Sequence, residues 1–202
     1  MELGKMSEAT DLLEERKQEI NFFFLRLKQL EKDGMGLSRT ESGRLLKILK
    51  SNYMLMIYNL EEACISCAFS RLYEVIASNN KPYSAYAEAI QKKWISEKTE
   101  NFNKNQSRES VIKTVYELIS QVENSNSIKL QAKALGLGGN LDARKVRDLL
   151  QEHGIRYHIK ISSEAARYVK EKRQSLSHGI SSFSDCSRDV TLSDLKNILM
   201  KL

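Results

Sequence analysis

Residues 40–78 read TESGRLLKILKSNYMLMIYNLEEACISCAFSRLYEVIAS, and the architecture follows from them. Leu45, Leu46, Ile48, Leu49, Met56, Ile57, Leu60 and Ile65 recur at helical spacing and give one wide apolar face. The pattern predicts a single helix from about Thr40 to Ser78. An element of that length serves as the spine of a helical bundle. Ser38-Arg39-Thr40-Glu41 starts it as a capping box, in which Ser38 and Glu41 satisfy each other's free backbone N–H groups. Asn79-Asn80-Lys81-Pro82 stops it.

The flanking sequence repeats the theme. Ser7 to Lys32 carries Leu12, Leu13, Ile20, Phe23, Phe24, Leu27 and Leu30 at helical spacing, and Asp33-Gly34-Met35-Gly36 ends it. Ser84 to Lys98 has Tyr86, Ile90 and Trp94 four residues apart. The polar run from Thr99 to Arg108 is a loop. Glu109 to Glu123 is amphipathic, with Val111, Ile112, Val115, Leu118, Ile119 and Val122 on one side. Gly136, Gly138 and Gly139 mark a second loop, after which Asn140 or Asp142 caps a helix ending at His153-Gly154. Ile155 to Ile161 alternates apolar and polar residues and reads as one extended piece. Ser162 or Ser163 caps a further helix that stops near Gly179. A Ser-rich loop over 180–190 precedes a last helix from Thr191. The expected fold is all-α: a single helical bundle with one long central helix, forming one domain over residues 1–202.

Composition agrees. The chain has 202 residues, 41% hydrophobic and 29% charged, enough to bury a core; its one proline and nine glycines disfavour a turn-rich β architecture. A net charge of +6 suits a phosphate-rich partner. The most apolar stretch, Tyr53 to Ala77, carries Glu61, Glu62, Arg71 and Glu74, which a membrane span would not tolerate. A polar, charged start without a signal peptide, and three cysteines without framework spacing, lead us to expect a cytoplasmic protein.

Most motifs have plain readings. Cys64-x-x-Cys67 lies inside the long apolar helix and has no second ligand pair for zinc, so the cysteines read as small buried residues. The glycines of 136–139 match neither a P-loop nor a dinucleotide fingerprint. His153 and His158 read as surface residues, and Glu14-Glu15-Arg16-Lys17 and Glu61-Glu62 as solvated helix faces. Arg173-Gln-Ser-Leu-Ser-His178, followed by Gly179, does not reduce in this way. Arg173 falls on the apolar stripe of its helix, between Val169 and Leu176, where a long cation must pair, snorkel or face an interface. Arginine holds phosphate through a forked, charged hydrogen bond, and histidine moves protons near neutral pH. Five residues apart, the two lie about 140° around a regular helix. They converge only if the helix unwinds at His178 or if two copies of the helix meet.

The Arg173-x4-His178 segment, set in VKEKRQSLSHGISSFSD (169–185), resembles the R-x4-6-H signature of the HEPN superfamily. These are helical domains of many RNA-cleaving toxins and defence proteins. Gly139-Asn140-Leu141-Asp142 before a helix, and the Leu176-x-His178-Gly179-x-x-Ser182-Phe183 surround, resemble a bacterial branch of that superfamily. The likeness is closest over 138–202. It implies an all-α bundle that dimerises through the motif helices and cleaves RNA without a metal or other cofactor. By this resemblance Arg173 would polarise the scissile phosphate. His178 would act as general base or acid while the ribose 2′-OH attacks, leaving a 2′,3′-cyclic phosphate. Gln174 and Ser177 would orient these groups, and Lys170, Lys172 and Arg188 would contact the RNA backbone. Relatives often carry Asn, Asp or His after the arginine; this chain has the longer amide of Gln174. The resemblance further implies a toxin or antiphage effector, with an antitoxin or other defence-system protein as partner. The contrasting expectation is a non-catalytic helical module that binds RNA, a nucleotide or a protein.

Overall fold

Serine, threonine and aspartate side chains set where several of the helices begin. The computed structural model describes residues 4–102, 107–131, 135, 137–158 and 163–201. Helix α1 (Gly4–Asp33) ends in the tight turn Gly34–Gly36, where Asp33 accepts from the Met35 N–H at 3.0 Å. Helix α2 (Arg39–Ser78) is one 40-residue element. At its start the Ser38 hydroxyl and N–H donate to Glu41 Oε2 at 2.6 and 3.2 Å, and the Glu41 N–H donates back to Ser38 Oγ at 3.3 Å. The same reciprocal box recurs at Thr191 and Asp194, before α8 (Leu192–Lys201), and before α7 (Phe183–Cys186) the Ser182 hydroxyl donates to Asp185 Oδ2 and accepts the Asp185 N–H. Between them come α3 (Glu88–Lys98), α4 (Arg108–Glu123), α5 (Ala143–Glu152) and α6 (Ser163–Ser177). The fold is all-α, and no strand forms among the described residues; Pro82 and Ser127 make an isolated bridge.

Two boundaries differ from the sequence reading. Pro82 and a short 3-10 turn (Tyr83–Ala85) delay α3 to Glu88, and Tyr86 instead anchors the turn by donating its hydroxyl to the Ile76 carbonyl at 2.8 Å. The Ser-rich segment after Gly179 is not all loop, because Ser182 caps α7. Of the expected extended piece over 155–161, residues 155–158 lie outside any strand and the rest lies outside the described residues, as do Gly136 and the cap at Ser162.

The chain divides into two compact units. One comprises Met1–Ile65, Leu137–Lys145 and Ile159–Leu202, the other Ser66–Gly136 and Val146–His158. The first buries Ile20 and Leu27 of α1, Tyr53, Met54, Ile57 and Tyr58 of α2, Val169 of α6 and Leu195 of α8. The rings of Phe23 and Phe24 lie 6.4 and 5.6 Å from that of Tyr53. The second buries Phe69, Tyr73, Ile76, Trp94, Ile128 and Leu149. His153 belongs to this core and not to the surface, at 5% exposure. Its Nδ1–H donates to the Leu149 carbonyl at 2.7 Å, which leaves Nε2 to accept the Tyr73 hydroxyl at 2.6 Å. That network holds the ring as a neutral tautomer, and burial lowers its pKa.

Candidate functional site

The motif helix α6 packs against a backbone loop, Gly138 to Asp142, inside the first unit. Gly139 has φ +78, and a side chain built there would come within 2.5–2.7 Å of the Arg173 guanidinium. The guanidinium is thus stacked on bare backbone. It also lies 5.3 Å from the ring centroid of Tyr58, a favourable place for a cation. Tyr58 is fully buried, and its Oη accepts the Leu141 N–H at 3.1 Å. Glu62, one turn further along α2, accepts the Gly139 N–H at 3.0 Å. Arg173 is therefore positioned from both sides by groups that are themselves held. Among the described residues no carboxylate pairs with it.

Its neighbours on α6 grip the same loop. Lys170 Nζ donates to Asp142 Oδ2 at 2.7 Å, and Gln174 Nε2 donates to Asn140 Oδ1 at 3.0 Å. Asp142 caps α5 through Oδ1, which accepts the Lys145 N–H at 2.9 Å. Burial alone would raise the Asp142 pKa; the Lys170 ion pair and the capping bonds hold it below the usual carboxylate range. Arg173, Lys170 and Gln174 thus converge on one loop.

Lys172 and Arg188 lie elsewhere. Lys172 Nζ donates to the Cys186 carbonyl at 2.5 Å and sits 5.3 Å from the Tyr168 ring centroid. Arg188 pairs with Asp185. A cavity of about 470 Å³ beside α7 has Lys172, Tyr168, Asp185, Asp189 and Asp194 in its wall.

His178 is exposed and marks the end of α6. Its N–H still donates to the Gln174 carbonyl at 3.0 Å, so the helix does not unwind before it. Gly179 takes φ +66 and donates to Leu176 at 3.2 Å, and Ile180 donates to Ser175 at 2.9 Å. These crossed bonds form a Schellman stop. Ser177 Oγ donates to the Arg173 carbonyl at 2.8 Å. Among the described residues nothing bonds Arg173 to His178, and the two remain on different sides of the helix.

Sequence reasoning passed over Glu61 and Glu62. Both are half-buried; Glu62 serves the Gly139 loop, and burial raises the Glu61 pKa to about 7. The signal was available, because Glu61 falls four residues after Ile57 and four before Ile65, on the apolar stripe of α2. Cys64 and Cys67 lie within α2 but are half-buried and not fully buried as the sequence reading expects; Cys186 is buried.

HEPN domains are all-α, as this chain is. The model of the MAE_28990-like HEPN family matches residues 6–202, and the chain belongs to that family. No curated protein and no solved structure matches it. Among the described residues no helix is long and apolar enough to cross a membrane.

Proposed function

We propose that this HEPN domain is an endoribonuclease acting as a cytoplasmic toxin or antiphage effector, with Arg173 and His178 as its catalytic residues. The observation that carries the reading is the state of Arg173. A guanidinium on the apolar side of its helix is held against Gly139 and Tyr58, yet no carboxylate neutralises it among the described residues. Such a pre-positioned cation suits a phosphate, whose oxygens accept its forked N–H groups. His178, exposed at the helix stop, is free to meet a long ligand.

In the proposed reaction the ribose 2′-oxygen forms a bond to phosphorus and the bond from phosphorus to the 5′-oxygen breaks. One imidazole takes the 2′-OH proton and another donates a proton to the departing 5′-oxygen. Two copies of α6, paired across a two-fold axis, would supply both imidazoles. Arg173 stabilises the charge developing on the non-bridging oxygens. The products are a 2′,3′-cyclic phosphate and a 5′-OH, and no metal or other cofactor is required. Ser177 fixes the last turn beneath His178, and Gln174 fixes the loop that backs Arg173. Lys170, Lys172 and Arg188 would reach RNA by exchanging their present partners for phosphates. An antitoxin or other defence-system protein would restrain the enzyme.

One observation favours a second reading, a helical module that binds RNA or protein without cutting it. Lys170 and Gln174 are both spent on the 138–142 loop, as structural residues would be. Purified wild-type chain, Arg173→Ala and His178→Ala, incubated with RNA in EDTA, separate the two. The nuclease reading expects cyclic-phosphate ends from the wild type and at least a hundredfold loss in each variant. Intact RNA with the wild type, or equal cleavage by all three, would reject it.

A further inference from the structure

Helix α4 (Arg108–Glu123) has 16 residues and none of them is buried. Its apolar residues divide into two sets. Val111 and Leu118 are half-buried against its own unit. Ile112, Val115, Tyr116, Ile119 and Val122 stand 57, 40, 73, 50 and 40% exposed. Such a contiguous apolar stripe on a solvent face marks an interaction surface. Beside it a groove of about 340 Å³, lined by Tyr83, Trp94 and Ile95 together with Val115, Ile119 and Val122 of the stripe, extends the apolar area toward α3.

The order of residues along the stripe identifies the occupant. At about 100° per residue, Arg108, Ile112, Ile119 and Glu123 fall within roughly 60° of one another, with Val115 and Tyr116 on the flanks. Their positions are symmetric about the middle of the helix: 108 mirrors 123, 112 mirrors 119, and 115 mirrors 116. On that face Arg108 and Glu123 carry opposite charges, one at each end, while Glu109 of the first turn and Val122 lie at its two edges and mirror each other. We infer that α4 pairs with α4 of a second copy of this chain, antiparallel across a two-fold axis near residues 115 and 116. In that register Ile112 opposes Ile119 twice and Arg108 opposes Glu123 twice. A parallel pair would set Arg108 against Arg108 and Glu123 against Glu123. The antiparallel arrangement also opposes the two helix dipoles. This interface is distinct from pairing through α6 and does not depend on RNA cleavage.

The test is sedimentation velocity of the full chain across micromolar concentrations, with circular dichroism confirming each fold. Wild type is expected to form an assembly that Ile112→Lys/Ile119→Lys weakens by at least tenfold. Glu123→Arg alone should weaken it about two- to fivefold per pair in low salt, the range of exposed ion pairs. Adding Arg108→Glu to Glu123→Arg should restore it, because the swapped charges again oppose. Monomeric wild type, or an assembly that none of these substitutions alters, overturns the inference. So does an assembly weakened equally by Glu123→Arg and by the double swap. Loss in the Lys variant of a complex with some other protein, from wild type that does not self-associate, also overturns it.

Discussion

Gly139 has no side chain because Arg173 fills the space one would need. Gly139→Ala forces a left-handed backbone on an L-residue and pushes the guanidinium off its seat. The backbone term alone predicts a loss of about 1–2 kcal/mol, measurable by urea unfolding. If Arg173 acts as proposed, RNA cleavage in this variant falls with the position of the guanidinium, well beyond what the lost stability explains. Lys170→Ala tests the other face of the loop: with Asp142 unpaired, the start of α5 loosens, and hydrogen exchange at its first turn should quicken. Arg173 was legible in the sequence because a cation interrupts an apolar stripe. Its supports were not. Tyr58, Glu62 and Gly139 are up to 115 residues away along the chain, and only folding reveals that they serve one guanidinium. Glu61 interrupts a stripe as plainly as Arg173 does; it was misread because adjacent charges look like a solvated pair.

The elements were the most readable scale, because their ends are written locally. Ser38 and Glu41, and Thr191 and Asp194, sit three residues apart and close the same bonds the spacing implies. Ser38→Ala and Thr191→Ala should each cost about 1 kcal/mol, read from denaturant midpoints. Reading failed where a longer contact set the boundary. Pro82 and the Tyr86 anchor postponed α3, and a single serine made a helix of a segment that composition called loop.

At the scale of the molecule, two groups in different units, Glu61 and His153, carry opposite responses to pH. Glu61 belongs to the first unit, and burial raises its pKa to about 7 from an ordinary 4.5. The folded state then favours the proton, so its contribution is intact below pH 4.5 and is lost as pH rises toward 7. His153 belongs to the second, and burial lowers its pKa from 6.5. There the folded state disfavours the proton, so stability is lost as pH falls below 6.5. Protection from hydrogen exchange, corrected for the intrinsic rate at each pH, should therefore be higher at pH 5 than at pH 8 around Glu61 and lower around His153. Glu61→Gln should stabilise the chain at pH 8 by about 3 kcal/mol and abolish the response around residue 61. A chain whose protection rises or falls uniformly would contradict this. The all-α class and the long α2 were visible in the sequence. His153 was not: its burial depends on Tyr73, 80 residues away, and nothing near it in the chain announces that partner.

The reciprocal caps have a consequence in time. Each closes a loop of only four residues, so it can form in the unfolded chain before any distant contact exists. Helix starts at residues 38, 182 and 191 are then early events, and removing a cap should slow refolding more than it speeds unfolding. The Tyr73–His153 bond joins residues 80 apart and must come late; its loss should appear almost entirely in the unfolding rate. Stopped-flow chevrons of Ser38→Ala and Tyr73→Phe would show the two limbs moving in turn.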